Sequence, residues 1–235
     1  MSTAVLLSGG VDSAVLLAEE AARNQVQPIY VAVGLAWEAR ERAAVARLLT
    51  HAVFGRVGAV VTLTVDMRDV YPAAHWALKG SPPAYDTPDE DVYLPGRNIV
   101  LLGKAGVYCA AVGIGRLVLG TLGHNPFPDA TPEFRAAMAQ ALSLGLAHDL
   151  DIAAPYASLD KSEIIRRGAA LGVPLELTMS CMNTLPQHCG VCSKCRERHN
   201  AFVDAQVPDP TEYADMSCIT SGHRVIGSSG HRVIR

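Results

Sequence analysis

The segment that most constrains the fold of this chain is a short glycine turn, Ser8-Gly9-Gly10-Val11-Asp12-Ser13. It follows an apolar run at 4–7 that predicts a buried strand, and it opens a helical pattern with its apolar residues on one face. The two glycines let the backbone turn sharply and approach an anion with no Cβ in the way. Successive N–H groups and the positive end of a helix then form a cradle for phosphate. The sequence therefore predicts a phosphate-binding strand–loop–helix unit.

Three side chains of this loop have predicted roles in the phosphate site. Ser8 and Ser13 supply hydroxyl donors. Asp12 would repel a phosphate that it faced, so it is predicted either to cap the helix or to hold Mg²⁺, whose charge reverses the local electrostatics. The loop lacks the Gly-Lys-Ser/Thr ending of a Walker A motif, so it belongs to another class of phosphate site.

Beyond the loop, runs rich in β-branched residues alternate with helical segments. Strands are predicted at 28–33, 57–65, 116–119 and 151–154. Helices are predicted at 36–53, 97–112 and 196–205, and after the candidate caps Thr131 and either Ser158 or Asp160. This alternation predicts an α/β fold, a doubly wound parallel sheet with helices on both faces. The proline-rich stretch 66–96 is predicted to be a long functional loop or a lid.

The net charge and the N-terminal residues argue against nucleic-acid and membrane partners. The 235 residues carry a net charge of −3, whereas a general nucleic-acid binder normally has a basic surplus, so no nucleic-acid partner is expected. The apolar run at the N-terminus is too short to span a bilayer and has no basic residues before it. We therefore expect a cytoplasmic protein with no membrane partner.

Four of the six cysteines lie close together in the sequence: Cys181, Cys189, Cys192 and Cys195. Four soft ligands in one segment favour a closed tetrahedral Zn²⁺ site that stabilises the fold and does not activate water. Redox-active disulfides and an iron–sulfur cluster are the alternatives. His188 is expected to be a solvated loop histidine rather than a ligand. The cations expected to offset the thiolate charge are Lys194, Arg196 and Arg198.

The phosphate loop and the cysteine segment, in this order, resemble the 7-cyano-7-deazaguanine synthase family of the ATP pyrophosphatase, or PP-loop, superfamily. The similarity covers most of residues 3–205 and includes Leu94-Pro95-Gly96-Arg97-Asn98, Asp160-Lys161-Ser162-Glu163-Ile164-Ile165 and Leu171-Gly172-Val173-Pro174. It implies an adenine nucleotide alpha-hydrolase-like fold, with a PP-loop ATP-binding domain at 1–155 and a helical zinc-binding subdomain at 156–210. It also implies a homodimer. Residues 211–235, in which Gly-His-Arg-Val-Ile occurs twice, are predicted to be a flexible tail.

The resemblance implies an ATP-dependent carbon–nitrogen ligase of queuosine biosynthesis. ATP would adenylate the carboxylate of 7-carboxy-7-deazaguanine, ammonia would replace AMP, and a second activation would give 7-cyano-7-deazaguanine, with AMP and pyrophosphate released. Mg²⁺ would bridge the phosphates. Arg97 and Lys161 are the predicted phosphate clamps, acting beside Asp12. The alternative for each cation is a surface role in which it caps a helix or pairs with a carboxylate.

Two segments, 34–38 and 125–129, depart from the family pattern where the substrate would bind. Within them, Trp37, Phe127 and Asp129 are candidate substrate contacts, although Trp37 could equally be a core residue and Asp129 a turn residue. The departure leaves open a paralogous ligase that acts on another carboxylic acid. A PP-loop tRNA-thiolation enzyme, which would need Cys109 or Cys218 as a free nucleophile, and a non-catalytic nucleotide-binding module are the remaining alternatives.

Overall fold

A parallel sheet forms the centre of the computed structural model, which describes residues 2–123 and 125–220. Within those ranges the sheet has five strands, which are β1 (Ser2–Leu6), β2 (Gln25–Ala32), β3 (Val61–Thr64), β4 (Arg116–Val118) and β5 (Asp151–Ala153). Their order is β3-β2-β1-β4-β5, and all neighbours run parallel. The predicted doubly wound parallel sheet is therefore confirmed. The winding reverses direction between β1 and β4, and in open sheets of this kind ligands bind at that point.

The described residues also form eight helices and four 3₁₀ turns. The helices are α1 (Val11–Arg23), α2 (Glu38–Leu48), α3 (Trp76–Lys79), α4 (Arg97–Val112), α5 (Pro132–Leu146), α6 (Lys161–Leu171), α7 (Ser193–Ala205) and α8 (Ser217–Thr220), and the turns are Ala52–Phe54, Asp89–Val92, Pro128–Ala130 and Leu175–Leu177. Thr131 and Asp160 accept backbone N–H groups at the starts of α5 and α6, as predicted.

The two faces of the sheet pack against helices in two separate hydrophobic cores. On one face Val5, Tyr30 and Val118 pack with α1, α6 and α7. On the other face Ala4 and Ile29 pack with α4 and α5, in a core that also contains residues of those helices. Because both faces are covered, the strands read as nearly continuous apolar runs in the sequence.

The proline-rich stretch 66–96 is more structured than the predicted loop. It contains α3 and the turn Asp89–Val92, and Ala84 forms an isolated antiparallel bridge with Cys192. The Ser193 N–H also donates to the Pro83 carbonyl at 3.3 Å. The stretch is thereby attached to the start of α7, and a lid function for it stays a prediction.

The chain beyond α7 folds back onto the cysteine segment. The N–H of Ala214 donates to the His188 carbonyl at 2.8 Å, and the N–H of Asp215 donates to the Cys189 carbonyl at 3.2 Å. The predicted tail therefore begins with residues that contact the rest of the molecule. Residues 221–235, with both Gly-His-Arg-Val-Ile copies, lie outside the described residues. In the described residues, none of the helices combines the length and apolar character that crossing a membrane requires.

Candidate functional site

The glycine turn leaves β1 and enters α1 in the conformation that its composition predicts. Gly9 has φ of +81°, and a Cβ there would lie 3.1 Å from the Glu41 carbonyl oxygen, so both the backbone and the space require glycine. The Ser13 hydroxyl donates to the Gly10 carbonyl at 3.1 Å and lies 3.3 Å from the Ser8 hydroxyl. Gly10 is the N-cap of α1. Asp12 therefore does not cap this helix, which corrects one of its two predicted roles.

Two adjoining cavities, of about 300 and 390 Å³, lie at the point where the winding of the sheet reverses. The predicted residues that line both are Ser8, Gly10, Asp12, Arg97 and Phe127. The first cavity adds Ser13 and Asp129, and the second adds Val11, Trp37 and Lys161. The fold thus brings the predicted phosphate and substrate residues to one crevice. Gly9 lines neither cavity, because it faces α2.

A group of four charged side chains forms one wall of this crevice. The Lys161 ammonium lies 2.6 Å from Glu197 Oε1 and 3.4 Å from Asp12 Oδ2. The Lys194 ammonium lies 2.6 Å from Glu197 Oε2. Lys161 thus pairs with carboxylates, which was the alternative to a phosphate clamp, and it also lines the second cavity. Sequence reasoning missed Glu197, and it assigned Lys194 to the thiolates.

Burial raises the pKa values of the carboxyl groups in this wall, whereas the neighbouring ammonium groups lower them. Desolvation raises the pKa of Asp12, although the Lys161 ammonium opposes that rise. Desolvation would also raise the pKa of Glu197, but the Lys161 and Lys194 ammonium groups outweigh it and the net shift is downward. Asp12 Oδ1 is buried and has no hydrogen-bond partner. A buried carboxylate oxygen without a partner is the kind of atom that a cation or a bound ligand would satisfy.

Arg97 begins α4 and lines both cavities. Its Nε is buried without a hydrogen-bond partner. The start of α4 is anchored by Asp129, whose Oδ2 accepts the Asn98 N–H at 3.0 Å and whose Oδ1 lies 3.3 Å from Asn98 Nδ2. Asp129 is only 5% exposed, and this burial raises its pKa. The carboxylate therefore holds the helix end that presents Arg97.

Aromatic rings line the side of the crevice near Asp129. Phe127 stacks on Tyr93 with ring centroids 5.1 Å apart. Trp37 is 3% exposed and stacks on Trp76 at 5.7 Å, so it is a core residue that also lines the second cavity. Flat rings at the edge of a cavity suit a flat ligand.

Glu41 is a buried carboxylate of the crevice that sequence reasoning missed. It accepts the Tyr30 hydroxyl at 2.8 Å and the Trp37 indole N–H at 3.1 Å, and it lines both cavities. Burial raises its pKa, and nearby Arg97 opposes the shift. The available signal was the spacing of four residues between Trp37 and Glu41, which places both on one face of a helix.

The four predicted metal ligands converge. Their Sγ atoms all lie within 4.8 Å of one another, and the closest pairs are 3.6, 3.9 and 4.0 Å apart. Four sulfurs around one ion at about 2.3 Å would lie about 3.8 Å apart, so the spacing fits a single tetrahedral metal ion. All four side chains are buried, and none of them forms a disulfide. Backbone N–H groups of Asn183, Cys189 and Gly190 point at the sulfurs at 3.4 Å.

The cysteine cluster and the glycine turn are joined by short contacts. The N–H of Met179 donates to the Gly9 carbonyl at 2.8 Å. Arg198 is fully buried and donates to Thr178 Oγ1 at 2.8 Å and to Ser180 Oγ at 3.2 Å. A disturbance of the cluster would therefore reach the loop.

His188 is not the solvated histidine that the sequence suggested. It is 5% exposed and its Nε2 accepts the Ser180 N–H at 3.1 Å, while burial lowers its pKa to about 3. This neutral ring fills the space beside the cluster and leaves the sulfurs as the ligand set.

Comparison with known proteins identifies the family of this chain. The family model described as queuosine biosynthesis protein QueC matches residues 2–206. A 7-cyano-7-deazaguanine synthase of Methanopyrus kandleri is 35% identical over 232 residues, covering 91% of this chain and 99% of that protein. Proteins of the same name from Thermoplasma volcanium and Xanthomonas campestris are 32% and 33% identical, over 89% of this chain and 90% and 96% of their own lengths.

Among solved structures, the U34-tRNA thiolase NcsA from Methanococcus maripaludis with its 4Fe-4S cluster aligns at 12% identity and a TM-score of 0.47, covering 87% of this chain and 67% of that one. That likeness is too low to support an inference. The family match spans nearly the whole described chain, and it includes the phosphate loop, both cationic helix starts and the cysteine cluster. This chain therefore belongs to the family of queuosine biosynthesis protein QueC.

Proposed function

We propose that this chain is an ATP-dependent 7-cyano-7-deazaguanine synthase, a ligase that converts 7-carboxy-7-deazaguanine and ammonia into the nitrile and releases AMP and pyrophosphate. The observation that carries the proposal is the convergence of the glycine turn, Arg97 and Lys161 on one crevice at the reversal point of the sheet, in a chain of the QueC family. Its curated relatives bear the name 7-cyano-7-deazaguanine synthase.

The reaction needs two activations by ATP. In the first, a carboxylate oxygen forms a bond to the α-phosphorus of ATP, and the bond from that phosphorus to the pyrophosphate oxygen breaks. Ammonia then attacks the acyl carbon of the mixed anhydride, AMP leaves and a proton is lost, which gives the amide. In the second activation the amide oxygen attacks the α-phosphorus of another ATP. AMP then leaves with that oxygen, and the nitrogen loses its two hydrogens as protons to give the nitrile.

The chain's own groups stabilise the negative charge that this chemistry moves. The N–H groups of the glycine turn and the hydroxyls of Ser8 and Ser13 hold the β- and γ-phosphates. Arg97 and Lys161 line the same crevice from the starts of two helices, and they bind the phosphates and stabilise the charge that develops on the leaving pyrophosphate. Pre-positioned cations of this kind contribute more inside a dry crevice than in water.

The aromatic side of the crevice holds the flat acid. Phe127 offers a ring face beside Tyr93, and Trp37 lines the adjoining cavity. Asp129 contributes a carboxylate at the same edge, although Asn98 already occupies part of its accepting capacity. These three residues are our proposed substrate contacts.

We also propose that the protein binds Mg²⁺ and Zn²⁺. Mg²⁺ would offset the phosphate charge, and Asp12 would hold it, because its buried Oδ1 has no hydrogen-bond partner. Zn²⁺ suits the four buried thiolates, because their spacing matches a closed tetrahedral site. Such an ion would stabilise the fold and take no part in the reaction. We further propose that the protein acts in the cytoplasm as a homodimer, without a nucleic-acid partner.

The test is turnover by the purified protein. The enzyme is incubated with 7-carboxy-7-deazaguanine, ammonium chloride and Mg-ATP, and AMP and the nitrile are measured by mass spectrometry. Lys161→Met should lower kcat by about 100-fold, since loss of one pre-positioned stabilising group typically costs that much. Lys104→Met is the matched control, because Lys104 is exposed on α4 and does not line the crevice.

Each alternative has its own outcome in this assay. Turnover of a different acid, with none of the deazaguanine acid, would identify a paralogous ligase. ATP binding without AMP formation across a panel of acids would identify a non-catalytic nucleotide-binding module. A thiolation enzyme would lose activity in the double variant Cys109→Ser, Cys218→Ser. Cys109 is a poor nucleophile for that role, because it is fully buried and burial raises its pKa to about 11.

A further inference from the structure

Two charged residues of α7, next to the cluster cysteines in sequence, line the crevice. Lys194 lies between the ligands Cys192 and Cys195 in the first turn of α7. Positions three residues apart share one face of a helix, so Lys194 and Glu197 point together, and both line the second cavity. Lys194 also lines the first cavity, beside Ser8, Gly10 and Asp12 of the phosphate loop. Because Cys192 and Cys195 flank Lys194, a metal ion bound to the cluster would fix the backbone position from which Lys194 faces the phosphate loop.

Glu197 holds two ammonium groups, one from each of two helices. Its Oε1 is 2.6 Å from Lys161, and its Oε2 is 2.6 Å from Lys194. The three side chains are 23%, 16% and 26% exposed, in the order Glu197, Lys161, Lys194. Together with Asp12, 3.4 Å from Lys161, the wall contains two ammonium groups and two carboxylates. Without Lys194 it would contain two carboxylates and a single ammonium group, and this excess of negative charge would repel a polyphosphate.

We propose that Lys194 is an additional polyphosphate-binding residue, delivered to the nucleotide site by the cysteine cluster and held in place by Glu197 when no nucleotide is bound. The inference rests on the proposed use of ATP. It gives the cluster a second effect beyond holding the fold together, because its sequence spacing also sets where one phosphate-binding cation lies.

The first experiment compares Lys194→Met with the wild-type protein and with Lys104→Met. We expect the KM for ATP and the Kd for pyrophosphate, measured by calorimetry, to rise about tenfold in Lys194→Met, with kcat changed by less than about twofold. Lys194→Arg should bring both constants back to within about threefold of wild type. Lys104→Met should change neither. Unchanged constants in Lys194→Met, with the metal content intact, would overturn the proposal.

A second comparison separates phosphate binding from simple neutralisation of Glu197. If Lys194 only offsets that carboxylate, its replacement has no effect once Glu197 is already glutamine. If Lys194 binds the polyphosphate, Lys194→Met/Glu197→Gln should bind pyrophosphate about tenfold more weakly than Glu197→Gln alone. This cycle stays informative if the single Lys194→Met variant loses metal or unfolds, because the double variant leaves no unpaired carboxylate.

The pyrophosphate measurement also separates this inference from the proposed function. If the chain activates no acid but the two variants differ in pyrophosphate affinity as stated, Lys194 is a phosphate ligand and only the proposed reaction is wrong. If AMP and nitrile form normally and the affinities do not differ, the reaction stands and the role given to Lys194 is wrong.

Discussion

Replacing Gly190 with alanine tests whether the segment after α7 is docked on the cysteine cluster as the structure places it. Gly190 has φ of +81°, and a Cβ at this position would overlap the Asp215 carbonyl group. Two backbone hydrogen bonds hold that segment, from Ala214 to His188 and from Asp215 to Cys189. An alanine side chain forces the segment away, so the variant should lose both bonds.

The magnitude follows from comparison with a glycine that has the same backbone conformation and open space. Gly172 has φ of +70°, and a Cβ added there would have nothing within 4 Å, so Gly172→Ala incurs only the left-handed strain, about 1 kcal/mol. Gly190→Ala incurs the same strain and loses two hydrogen bonds worth about 1 kcal/mol each. The expected loss of unfolding free energy is therefore about 3 kcal/mol.

Thermal unfolding of both variants, with zinc present, measures the difference. For a chain of this length, about 2 kcal/mol of additional destabilisation corresponds to a Tm that is about 6 °C lower in Gly190→Ala than in Gly172→Ala. Chelator should also remove the metal faster from Gly190→Ala. Equal Tm values in the two variants would show that residues 213–215 do not rest on the cluster.

Three further perturbations probe the core, the crevice and the cluster. Gly168→Ala puts a Cβ 2.7 Å from Val15 Cγ2 where α6 packs on α1, and urea titration should find it about 1–3 kcal/mol less stable. Asp129→Ala releases Asn98 at the start of α4, so KM should rise for ATP as well as for the acid; an effect on the acid alone would favour a purely substrate-binding role. Cys192→Ser should reduce the metal content from about one zinc per chain and lower Tm. Full zinc content with an unchanged Tm would contradict the proposed zinc site.

The fold was predictable where local signals agree with the tertiary structure. The helix predicted at 97–112 has those bounds because left-handed glycines flank it at both ends. The conformation of the glycine turn was predictable because a sharp turn between a strand and a helix needs a local glycine pattern. The alternation of elements predicted a parallel sheet, but it could not give the strand order, which depends on packing between distant segments.

The charged residues of the crevice were harder to predict. Glu41 and Glu197 sit in helices rich in charged residues, where a carboxylate is usually solvated. The spacing to Trp37 is the one local sign that Glu41 is buried, and nothing local marks Glu197 as partly buried. Lys194 was assigned to the nearest charges in sequence, the thiolates, whereas the fold turns it toward Glu197. The positions of Glu197 and Lys194 follow from the packing of α6 and α7 beside the loop after β1. These segments are far apart in the sequence, so no local pattern indicates that they meet.

The crevice takes its walls from segments far apart in the chain: the loop after β1 is synthesised before α6 and α7. A growing polypeptide thus cannot complete the crevice until Lys161 has been added. Ligand binding stabilises a protein only once the complete site exists. Nucleotide should therefore protect the finished protein against unfolding and proteolysis while giving little protection to chains arrested before residue 161.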